Sequence, residues 1–108
     1  MTVFIVETYV VKPEKQAEFM AFVKKLATWK EKNPKRFKEV RSWKLFAQMF
    51  GGNVGGYVEV WEFENLAESE KFSNRIMEDK EFITNIYAEL PSLLVPAKHL
   101  VNVWNSVM

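Results

Sequence analysis

Cysteine is absent from the 108-residue chain. That excludes disulfides, thiolate metal sites and thiol nucleophiles, and it fits a reducing compartment. Histidine occurs once, as His99. No second histidine or thiolate joins it, so a structural zinc site is not expected. A charge excess is missing too. Fifteen basic and 14 acidic residues leave a net charge of +1, whereas a dedicated nucleic-acid binder carries a basic excess. No apolar run approaches the roughly 20 residues of a membrane-crossing helix. The segment Met1 to Glu7 has no basic n-region and soon meets a carboxylate, so it reads as a strand rather than a signal peptide. Glycine is scarce, and all four glycines lie between positions 51 and 56. A glycine-rich loop cradles phosphate when a helix N-terminus follows it. Here a strand follows, so this segment is expected to turn a hairpin. Together these absences lead to the expectation of a soluble, cytoplasmic protein without metal, nucleic acid or membrane.

Aromatic residues are abundant instead. Four Trp, nine Phe and three Tyr make up 15% of the chain. One domain, residues 1–108, is expected at this length. These rings are many for one small core, so some are expected at an interface or around a pocket.

The hydrophobic pattern gives the element order. Val3 to Val11 is β-branched and aromatic, and both of its faces are largely apolar, as in a central strand. Pro13 and Glu14 open a helix whose stripe is Phe19, Phe22, Val23 and Leu26, and Asn33-Pro34 stops it. Lys35-Arg36-Phe37-Lys38 reads as a solvated connection. Val40 to Phe50 is a second strand, with Arg41 and Lys44 suited to a sheet edge. In the third strand, Tyr57, Glu59, Trp61 and Phe63 share one face, and Val58, Val60 and Glu62 share the other. Asn65 and Glu68 form a capping box for the next helix. That helix carries Phe72 and Ile76 inward and breaks around Glu78-Asp79-Lys80. A second helical piece carries Phe82, Ile83, Ile86, Tyr87 and Leu90, and Pro91 is expected to end it. Leu93-Leu94-Val95-Pro96 is an apolar connector. Lys98 to Val107 is a fourth strand.

The order β-α-β-β-α-β is the ferredoxin-like split βαβ arrangement, an α+β fold. Right-handed crossovers give an antiparallel sheet in the order 4-1-3-2, with helices on one face. Val6, Val10, Val58 and Val60 lie on the other face. A second copy of the chain is the expected cover, making a homodimer.

Glu7 and Glu59 are the sharpest polar features. Each lies mid-strand among apolar neighbours, on strands that should be adjacent. If both face one pocket, burial and mutual repulsion raise an apparent pKa and leave a carboxyl group for acid–base work. Tyr9, Tyr57 and Trp61 would then surround a small aromatic or quinol-like ligand. The plainer alternative places the two glutamates at a seam or rim, paired with Lys or Arg, and both readings stay open. His99 is either a general base or a hydrogen-bonded residue at a strand start. A hard-metal site from Glu7 and Glu59 alone would be poorly coordinated. An RNA-binding reading of the same fold fails at Glu59, where a stacking aromatic should stand.

Tyr9-Val10-Val11-Lys12-Pro13-Glu14-Lys15, Val58 through Glu68 and Met77-Glu78-Asp79-Lys80-Glu81-Phe82 resemble the NIPSNAP-like branch of the dimeric α/β-barrel superfamily. The resemblance covers nearly the whole chain. It implies a homodimer with sheets packed face to face, and an apolar pocket between sheet and helices in each subunit. The superfamily also holds antibiotic-biosynthesis-type, cofactor-independent monooxygenases and haem-degrading oxygenases. Trp61 looks like the pocket tryptophan of the haem-degrading members. Their haem-ligating histidine has no counterpart in Lys71-Phe72-Ser73-Asn74, and their first-strand asparagine has none in Ile5-Val6-Glu7-Thr8. No cofactor is therefore expected. Two function classes remain: a ligand-binding or assembly module, and a monooxygenase-type enzyme.

Overall fold

The computed structural model describes residues 2–51 and 55–108. The middle of the expected glycine hairpin, residues 52–54, lies outside the described residues. The strands are β1 (Val3–Val10), β2 (Ser42–Ala47), β3 (Gly56–Phe63) and β4 (Leu100–Asn105). The helices are α1 (Gln16–Lys32), α2 (Leu66–Glu78), α3 (Lys80–Asn85) and the four-residue α4 (Leu90–Leu93). Among the described residues the strands form one antiparallel sheet in the order β2-β3-β1-β4, which is the 4-1-3-2 order of the ferredoxin-like fold.

The register explains why the pattern was readable. Ile5 faces Trp61, Glu7 faces Glu59 and Tyr9 faces Tyr57 across β1 and β3. Trp43 faces Trp61 across β2 and β3. Alternation then sends all of these side chains to one side of the sheet. That side supplies the core. Tyr9, Val11 and Phe63 pack there with Phe19, Phe22 and Leu26 of α1 and with Phe72 and Ile76 of α2. Phe19 and Phe63 are fully buried, each worth roughly 2–3 kcal/mol of apolar transfer.

The opposite side carries Phe4, Val6, Val10, Val58, Val60, Phe46, Leu100 and Trp104, by the same alternation. Val6 is buried between its strand neighbours, but Phe46, Leu100 and Trp104 are 52%, 60% and 57% exposed. Among the described residues, the core cluster packed under the helices includes none of these side chains.

Asn65 caps α2 as expected, its Oδ1 accepting from Glu68 N at 2.9 Å. The Glu68 carboxylate reaches Lys71 at 3.1 Å. Asp79 breaks the helix and caps α3 through Phe82 N. Two local expectations are corrected. Pro91 does not end the second helical piece. α3 stops at Asn85, a 3-10 turn follows at Tyr87–Glu89, and Pro91 lies in the first turn of α4. Proline lacks the N–H that a first turn leaves unbonded anyway, so it starts a helix more readily than it ends one. Lys35–Lys38 is not simply a solvated connection either. Pro34–Phe37 forms a 3-10 turn that buries Phe37. Arg36 pairs with Asp79 at 3.0 Å and lies 5.0 Å from the centre of the Trp29 ring. Nearby, Arg75 grips the buried Glu39 carboxylate with two guanidinium nitrogens and donates to the Arg36 carbonyl. Those hydrogen bonds hold the Glu39 carboxyl below the usual carboxylate range.

The connection to β4 is fastened to the end of β1. Val11 bridges Leu94, Lys12 N donates to Leu93 O at 2.9 Å, and Val95 N donates to Val10 O at 2.8 Å. Ala97 then adopts φ 65°, a left-handed turn that is uncommon outside glycine. It delivers His99 to the head of β4. Among the described residues, no helix is long and apolar enough to cross a membrane.

Candidate functional site

Glu7 and Glu59 are direct cross-strand partners, so their side chains emerge beside one another on the helix-covered side. Glu59 is only 7% exposed. Trp43 on the neighbouring strand donates its indole Nε1–H to Glu59 Oε2 at 2.5 Å. His99 Nε2 lies 3.1 Å from Glu7 Oε1. Among the described residues neither glutamate meets a lysine or arginine at ion-pair distance.

A carboxyl pair without a lysine or arginine partner in such a place resists ionisation. Burial first, and the Glu7 charge second, push the Glu59 carboxyl up to about 8. Hydrogen bonds from Trp43 and Tyr9 act in the other direction but are the smaller effects. The Tyr9 phenol is pushed upward as well, chiefly by burial and then by the charges of Glu59 and Glu7. At neutral pH the cluster is therefore a buried hydrogen-bonded group holding a proton on Glu59.

Aromatic rings form one wall. Tyr9 stands edge-on to His99 at 5.8 Å and stacks beside Tyr57 at 6.2 Å. Phe19 closes behind Tyr57 at 4.7 Å. Gln16 ties this wall to the backbone: the Tyr57 hydroxyl donates to Gln16 Oε1 at 3.0 Å, and Gln16 Nε2 donates to Val11 O at 3.2 Å. Gly55 has φ 80°, and a Cβ there would fall 3.1 Å from both Gln16 Nε2 and Val11 O. Only glycine suits both demands.

Glu7, Glu59, Tyr9 and His99 thus lie in one cluster, with Tyr57 joined to it through Tyr9. Trp61 adjoins the cluster through Trp43. Half-buried, it packs against Phe37, Trp43 and Phe72 at 6.3, 5.6 and 5.6 Å. Trp43 and Gln16 were not singled out from the sequence. Trp43 reaches Glu59 diagonally across the sheet, which only the strand order discloses. Gln16 carries no sequence signal. Clefts open at the ends of the sheet. One of about 370 Å³ lies against Tyr57, Gln16 and Pro13, and one of about 510 Å³ lies against Trp43 and Phe37. Among the described residues, no group of three or more His, Asp or Glu side chains is placed to hold a metal ion.

No family model matches the sequence, and no curated protein matches it. Solved structures do match. The fold is shared with a class of small ferredoxin-like proteins, the one that the sequence motifs resemble. A NIPSNAP family protein of Agrobacterium tumefaciens matches with a TM-score of 0.75 at 12% identity, over 97% of this chain and 85% of that one. A dimeric protein of unknown function from Bacteroides fragilis, described as ferredoxin-like, matches at 0.65 and 12%, over 97% and 96% of the two chains. An antibiotic biosynthesis monooxygenase matches at 0.68 and 15%, over 98% and 99%. At these identities the likeness is one of fold.

Proposed function

We propose that the chain works as a homodimeric small-ligand-binding module. The Glu7–Glu59 carboxyl pair holds the ligand's polar group, and Tyr9 and Tyr57 hold its aromatic or apolar body. The observation that carries this reading is a cross-strand carboxyl pair, buried on one side and supported by Trp43 and His99, with no lysine or arginine at ion-pair distance among the described residues. Such a pair destabilises a core that two apolar residues would fill better. Perturbed carboxyls of this kind concentrate where ligands are handled. The uncovered sheet side supports the dimer, as does the dimeric neighbour of the same fold.

Native mass spectrometry of protein purified from its source cells tests the reading. A dimer carrying an added small mass is expected, with the mass lost in Glu59→Gln. A clean dimer whose ligand content is indifferent to Glu59→Gln would overturn the site assignment.

A second reading is supported by the Glu59 carboxyl, pushed up to about 8, and by the monooxygenase among the neighbours. In it, Glu59 in its ionised form takes the hydroxyl proton of a quinol-like substrate before oxygen reacts, so turnover rises with pH through that value. Oxygen uptake with a panel of quinols is the assay. Glu59→Gln should lower turnover by about 100-fold or more, and no uptake with any quinol leaves the binding module as the reading.

A further inference from the structure

The cleft of about 510 Å³ lies between the last turns of α1, the Pro34–Phe37 turn and β2. Its volume is within the range of small-molecule sites. Its inner wall is apolar and aromatic, formed by Phe37, Val40 and Trp43, while Lys30, Lys38 and Glu31 stand around it. Two ammonium groups against one carboxylate leave a local positive excess. Among the described residues Lys30 has no acidic partner at ion-pair distance, and Lys38 acts on Glu39 only through its charge. The carbonyl end of α1 would repel an anion if it were bare. Here Asn33 satisfies two of those carbonyls: its backbone N–H donates to Trp29 O at 3.0 Å and Lys30 O at 3.3 Å, and its side-chain amide donates to Trp29 O at 2.8 Å.

Trp43 links this cleft to the interior. Its ring lines the cleft while its indole nitrogen is bonded to Glu59. Trp43 therefore touches both the outer cleft and the carboxyl pair.

We propose that this cleft is a subsite for a small apolar monocarboxylate, whose ring or chain lies on Trp43, Phe37 and Val40 and whose carboxylate meets Lys30 and Lys38. The proposal rests on the ligand-binding reading of the chain and adds to it a second site beside the Glu7–Glu59 pair. It names the class of ligand for that site, and the occupant would influence the carboxyl pair through the Trp43 side chain, which is bonded to Glu59.

Calorimetric titration of the full chain with 2-naphthoate and with its uncharged counterpart 2-naphthamide tests it. Naphthoate should bind about tenfold tighter than the amide. A Lys30→Met/Lys38→Met double variant should erase that preference and leave the amide affinity in place. Val40→Trp, which fills the cleft, should weaken both probes about tenfold or more. If Val40→Trp does not fold, Lys30→Glu provides the same test from the exposed rim by reversing the preference. Absence of naphthoate binding, equal affinities for the two probes, or indifference to the lysine substitutions would each overturn the subsite. The two readings also fail separately. Affinity lost in Glu59→Gln but unchanged by the cleft variants sinks the subsite and keeps the carboxyl-pair site. Lysine-dependent naphthoate binding that Glu59→Gln leaves untouched keeps the subsite and sinks its link to the pair.

Discussion

Glu59 sits between two valines on a central strand, and any charge it takes on must be solvated by what the fold supplies. That supply is one indole N–H, a tyrosine and a second carboxyl. In the unfolded chain a glutamate ionises near about 4.3; in the folded protein Glu59 does so near about 8. Between those values the folded state holds a proton that the unfolded state has released. Stability from this group is therefore complete below the lower value. It falls as pH rises, by roughly 1.4 kcal/mol per unit, and levels off above the upper value. Glu59→Gln keeps an acceptor for Trp43 and removes the ionisation. Urea midpoints at pH 5.5, 7 and 8.5 should show the variant gaining on the natural protein at each step. Parallel pH profiles would mean that Glu59 ionises normally. Both glutamates could be found by alternation, because a carboxylate in an apolar strand breaks the pattern. Trp43 could not, because it looks like any other core ring until β2 is placed beside β3.

Helix α2 illustrates how far local chemistry reaches. Its stripe of Phe72 and Ile76 and its start at Asn65 were both readable, since each depends on residues within a turn or two. Asn65→Ala removes the acceptor for Glu68 N, and urea unfolding should record a loss of about 1 kcal/mol. A loss below a few tenths would mean that water or a neighbour satisfies that N–H equally well. Other element details needed the whole fold. Arg36 looks like part of a solvated basic run, yet Asp79, 43 positions later, pairs with it. Pro91 looks like a stop, yet α3 has already ended at Asn85, capped by Ile86, whose N–H bonds Phe82 O.

At the scale of the whole molecule, the sheet has one side that the helices cover except over β4, where Val101 and Val103 are exposed, and one side that the chain leaves open. β4 is exposed along its full length, and Trp104, Leu100 and Phe46 add large apolar area to the open side. Apolar surface of this extent marks an interaction site. In the dimer proposed above, a second copy covers it. Trp104→Glu places a charge there without touching the core, so sedimentation should find the natural protein dimeric and the variant monomeric. Circular dichroism should find both folded. A variant that stays dimeric would move the interface to another surface.

The sequence by itself determined the element order, the sheet topology and the two-faced character of the central strands. These follow from periodicity, caps and the handedness of crossovers, which are properties of neighbouring residues and of chain chirality. It also singled out Glu7 and Glu59, through alternation alone. Only the tertiary structure decided what surrounds them. Trp43 reaches Glu59 because β2 lies beside β3, and His99 reaches Glu7 because a left-handed turn at Ala97 delivers it to β4, 92 positions further along the chain. Trp61, which the motif set beside the ligand, is stacked among Phe37, Trp43 and Phe72. Through-space neighbours, not sequence spacing, set the burial of a carboxyl and the partners of its proton, and those determine what the site can do.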